Sequence, residues 1–233
     1  MSLSFTSKRL RGDRFSPPGG RVNASVWAPI MKTQPESHIT KRVRLVLALA
    51  SFAMLSVFVL PLWSIDLLAP QYPEGLGIYI EINTIVGHKK HDLKNLNMLN
   101  HYIGMQEIVP DSIPELKIMP YIFGALIAFG FFVSWSGRRK LFWVWVGAFA
   151  LVAIGGMVDF YIWSYDYGHN LDLENAAIQV PGASYQPPLL GSKKILNFTA
   201  VSWPALGGWI AILSYCMVII SYYAERRLRR CSK

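Results

Sequence analysis

The chain has 233 residues, 52% of them hydrophobic and 16% charged, with a net charge of +9, a pI near 9.6 and a mean hydropathy of +0.30. That composition excludes a disordered tail and argues against an ordinary soluble domain. Two cysteines, Cys216 and Cys231, are too few for a disulfide framework or a four-thiolate zinc site.

In chain order, residues 1–44 form a basic N-terminal segment. Its first thirty residues, rich in Ser, Arg, Gly and Pro, have no apolar period, so residues 1–30 are read as a disordered tail or a gene-model extension ahead of Met31. They are Arg-rich and acid-poor like a presequence, but no amphipathic stripe supports that reading. Crossing the hydrocarbon core takes about 20 mainly apolar residues. Four runs qualify: 45–63, 119–135, 141–163 and 201–223. Trp63, Tyr121, Trp135, Trp143, Trp163, Trp203 and Tyr222 lie near their ends, where amphipathic rings prefer the interface. The expected fold is an all-α membrane protein with four transmembrane helices and a small extracytoplasmic cap. That cap contains a short strand and a surface helix.

Orientation follows from Lys and Arg near the span ends. The N-terminal segment, the link at 136–140 and the tail at 224–233 hold seventeen Lys and Arg against three acids, or +14. The loops at 64–118 and 164–200, with Asp159, hold six Lys against eleven acids, or −5. Both termini are therefore expected in the cytoplasm and both long loops outside, with the first span kept as an anchor rather than cleaved as a signal peptide. The tail Arg226–Arg230 reads as an orientation signal that attracts anionic lipid, not as a nucleic-acid site.

In the first outer loop, Ala69–Gly75 reads as turn material, and Ile78–Asn83 alternates with period two, as a strand does. His91 to Met105 reads as a helix. At 100° per residue, Leu96, Leu99 and Ile103 fall in an arc of about 60°, and His91, Met98, His101 and Met105 in an opposite arc of about 80°. Imidazole and thioether suit soft Cu(I). Candidate copper ligands are thus His88, His91, Met98, His101 and Met105, joined by His169 from the second loop. Against this stand the ordinary roles of Met in packing and of a loop His in solvent. No His lies within a span, so an intramembrane bis-His haem is not expected.

The second loop, with Asp166, His169, Asp172 and Glu174 followed by Pro181, Tyr185, Pro187 and Pro188, reads as an irregular acidic cover. Asp66 and Asp159, at the outer ends of two spans, read as hydrated acids, and Ala148 and Gly155 as helix-packing residues. No Gly-rich phosphate loop, nucleophile elbow, kinase signature or H-E-x-x-H pattern is present, so no enzyme activity is expected.

Three runs, Ala69-Pro70-Gln71-Tyr72-Pro73-Glu74-Gly75-Leu76, Leu99-Asn100-His101-Tyr102-Ile103-Gly104-Met105 and Tyr185-Gln186-Pro187-Pro188-Leu189-Leu190-Gly191, resemble those of a family of small bacterial membrane proteins of unassigned biochemistry. Genes for such proteins are often found beside those for nitrous oxide reductase and its copper-maturation factors. The resemblance covers the outer loops. It implies an accessory role in assembling or supplying a copper enzyme outside the cytoplasmic membrane of a bacterium, with a periplasmic copper enzyme or its maturation factors as partner. Of the candidate ligands only His101 and Met105 fall inside a shared run.

The expected function is therefore a non-enzymatic membrane accessory factor that binds or relays copper at the outer face. The alternative is a scaffold or docking subunit with no metal role. A small transporter is disfavoured, because the spans carry no central ionisable residue and no matched pair of broken helices.

Overall fold

A computed structural model describes residues 37–179, 182, 184–195 and 197–231. The readings made of residues 1–30 lie outside them. Helix α1 (Lys41–Ala53) is capped by the Thr40 hydroxyl, which accepts from the Val43 N–H at 3.3 Å, and it tightens into a 3-10 turn over Met54–Phe58. Strands β1 (Trp63–Ala69), β2 (Tyr72–Ile80) and β3 (Ile85–Gly87) follow, then helix α2 (Asp92–Tyr102). The long helices α3 (Pro114–Ser136) and α4 (Arg139–His169) come next. After an irregular stretch, β4 (Gly191–Ile195) and β5 (Phe198–Pro204) lead directly into α5 (Leu206–Cys231).

The all-α, four-span expectation is overturned. Five strands form one antiparallel sheet in the order β3-β2-β1-β5-β4, beside five α-helices among the described residues. Three of these, α3, α4 and α5, are long and apolar enough to cross a membrane. The first apolar run fails as a span because it is divided between two structures. Its helical part stops at Phe58, so only the fourteen residues 45–58 are both apolar and helical, well short of about 20. Pro61 lacks an N–H to continue the helix, and Trp63, Ile65 and Leu67 alternate with Ser64, Asp66 and Leu68, which suits a strand with one covered face. The fourth run is divided too: Val201–Pro204 belongs to β5.

Buried residues of α1 recur at Val43, Leu47, Ala50, Met54 and Val57, the alternating four- and three-residue spacing of a helix seam. With Leu126, Val133, Phe142, Trp145 and Val218 they form the bundle core. The fully buried Trp145 indole donates to the Leu126 carbonyl at 3.0 Å. A Cβ on Gly130 would stand 2.3 Å from Ser51 Oγ, so this glycine permits the close approach of α3 to α1. At the other end, Gly207 and Gly208 let the start of α5 lie on the backbone of Leu60–Leu62, where Cβ atoms would come within 2.7 and 2.2 Å of carbonyl oxygens. The sheet is thereby joined to the helices without a loop.

Helix α4 has 31 residues, about 46 Å at 1.5 Å each, against about 30 Å of hydrocarbon. Its last turns therefore extend beyond a bilayer core. There Trp163 and Tyr167 pack with Ile78, Ile85, Ile108 and Leu116 under the sheet.

Candidate functional site

The pairing register sorts the sheet into two faces. Ile65 opposes Ile78, and Leu67 opposes Leu76 and Ala200, so these residues share one face, which α2 and the end of α4 cover. Ser64 opposes Tyr79, and Asp66 opposes Gly77, on the other face. A strand reverses its side chains at every residue, so polar Ser64 and Asp66 are carried away from the apolar layer.

His88, just after β3, lies over that second face. Its Nδ1 is 3.2 Å from Asp66 Oδ1, its Nε2 is 3.2 Å from Ser64 Oγ, and its ring lies 3.8 Å from that of Tyr79 at 31°. Gly77 makes the room, because a Cβ there would stand 2.3 Å from His88 Nδ1 and 2.8 Å from Asp66 Oδ1. Ser64 Oγ also donates to Asp66 Oδ2 at 3.1 Å. This cluster has two consistent proton arrangements. A protonated imidazole donates to both Asp66 and Ser64, leaving the Ser64 proton for Asp66. A neutral one protonated at Nδ1 can instead accept the Ser64 proton at Nε2. Ser, His and Asp are the residue types of a hydrolytic triad, and the second arrangement has the triad's proton order, while in the first the serine proton goes to the carboxylate instead. The cluster orders protons across two strands and ties β3 to β1.

The six candidate copper ligands do not converge. His88 is committed to Asp66 and Ser64. His91 is exposed at the start of α2, ten positions before His101 and so about 15 Å away along the axis, too far to share one ion. His169 stacks on Tyr165 at 3.9 Å, and its Nδ1 lies 2.9 Å from the Tyr165 carbonyl. Met105 is half-buried against Ile103, Tyr185, Ile195 and Ala200. Only Met98 and His101, both exposed and three residues apart on α2, remain neighbours facing outward. Among the described residues, no group of three or more His, Cys, Asp or Glu side chains is placed to hold a metal.

Helix α2 ends at Tyr102 instead of running to Met105. Gly104 takes φ +78°, the Gly104 N–H donates to the His101 carbonyl at 3.2 Å, and the Met105 N–H donates to the Asn100 carbonyl at 2.8 Å. This is the left-handed glycine termination of a helix, the Schellman motif, in which the residue after the glycine turns back against apolar neighbours. Leu96 packs inward as its arc predicts. The same arc holds Asp92, and Asn100 lies about 40° beyond its edge; both are buried. Asp92 Oδ2 accepts from the Gly77 and Lys89 N–H groups at 3.3 and 3.2 Å, which fastens α2 to the strand edge.

Each of the three runs contains a local folding device. The first makes the β1–β2 hairpin around Pro70 and Gln71, then a bulge in which Pro73–Gly75 are accommodated between the pairs Ala69–Tyr72 and Leu67–Leu76, with Gly75 at φ +69°. The second is the termination of α2. The third crosses α4, where a Cβ on Gly168 would come within 2.4 Å of the Gln186 backbone and the Tyr185 N–H donates to the Gly168 carbonyl at 3.0 Å.

Asp66 and Asp159, alike in the sequence, part company: Asp66 serves the His88 cluster, and Asp159 sits exposed on α4. The polar cluster itself escapes a linear reading because it needs the β1–β2 register. Its signal is the Ser64/Asp66 alternation, opposite a segment with glycine at 77. In comparisons with known proteins, no family model, no curated protein and no solved structure matches this chain.

Proposed function

We propose that this chain is an integral membrane accessory factor that binds or relays copper at the outer face of the bacterial cytoplasmic membrane, in support of a respiratory copper enzyme such as nitrous oxide reductase. The resemblance of its three outer runs supports the enzyme context. The observation that carries the copper role is the Met98–His101 pair: a thioether and an imidazole, both exposed, separated by about 4.5 Å of helix rise. Soft Cu(I) accepts both ligands, and a site with two protein ligands leaves room for a partner to take the ion. Met105 stays outside this ligand set, because its side chain packs into the cap.

A second reading, a docking subunit without metal, rests on a different observation. Met98, Tyr102, Leu173 and Ile178 are exposed apolar side chains on the cap, and the Ile178 N–H donates to the Tyr102 carbonyl at 3.0 Å, which brings loop and helix side by side. Titration of the purified full chain with Cu(I) against a competing chelator separates the two. Stoichiometric binding that Met98→Ala with His101→Ala abolishes supports the copper reading. Absence of binding, or affinity unchanged in the double variant, rejects it in favour of docking.

A further inference from the structure

At the end of the bundle away from the sheet, the starts of α1 and α4 and the last turns of α5 enclose a cleft lined by His38, Thr40, Arg139, Tyr222, Arg226 and Arg229. Tyr222 is 5% exposed and fixed by its neighbours, stacked on Phe142 at 4.9 Å and edge-on to Trp143 at 5.2 Å. The guanidinium carbons of Arg139 and Arg226 stand 5.9 and 5.7 Å from the centroid of its ring. Two like charges are thus held by one aromatic ring, yet among the described residues neither side chain has a carboxylate or hydrogen-bond partner. Glu225, also on the cleft wall, is 3.6 Å from Arg229 on its own helix. With Glu225 beside Arg229, the charges of Arg139 and Arg226 are the ones in the cleft that meet no carboxylate among the described residues.

We propose that this cleft binds the phosphodiester headgroup of an acidic glycerophospholipid. Guanidinium forks match phosphate oxygens in pairs. Basic pockets between membrane helices are suited to anionic headgroups. Ile39 and Val43 complete the cleft wall, so it carries apolar as well as charged groups. Trp143, Tyr222 and Tyr223 cluster beside it, as rings do at the boundary between headgroups and acyl chains. That mixture of basic, apolar and aromatic groups fits an amphiphile better than a free phosphate ion.

The test uses the full chain in neutral detergent, with lipid binding followed by native mass spectrometry. Phosphatidylglycerol, phosphatidylcholine and inorganic phosphate are the probes. The expected result is at least tenfold preference for phosphatidylglycerol over phosphatidylcholine. Arg139→Gln with Arg226→Gln weakens phosphatidylglycerol binding by about 30-fold, from about fivefold for each arginine. Arg227→Gln with Arg230→Gln removes the same charge outside the cleft and changes affinity less than about threefold. Equal binding of the two lipids, or equal loss in both double variants, overturns the site. Displacement of the lipid by millimolar inorganic phosphate overturns the lipid assignment in favour of a soluble anion.

Discussion

The run ending in Gly104 and Met105 terminates α2, and its glycine has little room for a side chain. Gly104 holds φ +78°, and a Cβ there would lie 2.6 Å from the Asp172 carbonyl oxygen. The left-handed conformation alone costs an alanine about 1–2 kcal/mol. The contact is with backbone, which cannot swing aside as a side chain would. Relief requires the 171–178 segment to withdraw, breaking the Asp172 N–H bond to the Gly104 carbonyl (2.8 Å) and the Ile178 N–H bond to the Tyr102 carbonyl (3.0 Å), each worth about 1 kcal/mol. Gly104→Ala is therefore expected to destabilise the cap by about 3–4 kcal/mol. Hydrogen exchange followed by mass spectrometry on detergent-solubilised protein should show peptides spanning 100–108 and 171–178 exchanging at least a hundredfold faster, with α3 to α5 unchanged. Met105→Leu is the companion variant: it keeps the packing volume, loses the sulfur, and should cost less than about 1.5 kcal/mol. Exchange in Gly104→Ala indistinguishable from wild type would refute the helix-termination account.

Two further outcomes follow from contacts at opposite ends of the molecule. The Arg44 side chain donates to the Ser134 carbonyl at 2.6 Å and to the Trp135 carbonyl, two of the carbonyls left open at the end of α3, while Ser134 Oγ returns a bond to the Arg44 carbonyl at 2.7 Å. Arg44→Gln should cost about 1.5–3 kcal/mol, as expected for hydrogen bonds from a charged donor; an unchanged melting temperature in detergent would contradict it. In the cap, the Asn175 side chain and then its backbone N–H hold the Asp172 carboxyl below the usual range, and the hydrogen bond from Lys89 at 2.6 Å does the same for Glu74. A lowered folded-state pKa contributes stability that is fully present above the ordinary carboxylate value and lost as pH falls through the lowered one. Protection of residues 171–178 should accordingly decline on the acid side, and Asp172→Asn should flatten that dependence.

The helices long and apolar enough to cross a membrane were legible because hydrocarbon thickness translates directly into run length: α3 and α4 contain the runs at 119–135 and 141–163 entire. The first run misled because a count of apolar residues cannot tell a helix from a helix followed by a half-buried strand. Trp63 to Leu68 is apolar enough to extend the run, yet its alternation belongs to β1. Of the strand expected at 78–83 only residues 78–80 belong to β2, which begins earlier, at Tyr72, because the supposed turn material is hairpin and bulge. The β4–β5 hairpin was missed behind the lysines at 193 and 194, exposed residues of an edge strand.

In α2, the inward arc of Leu96 and Ile103 depends on helical periodicity alone and was readable. Where the helix stops depends on one glycine, and Met105 leaves the His/Met face for that reason. The sequence by itself determined apolar runs long enough to cross a membrane, a charge difference between the segments that flank them and a separate cap, because run length, Lys and Arg placement and 3.6-residue periodicity are local properties. Tertiary structure decided that β1 and β5, more than a hundred residues apart, join the cap into one sheet. It also decided that His88 meets Asp66 and Ser64 while the other candidate ligands disperse. Strand register and helix ends set which side chains meet, and both depend on partners distant in the chain.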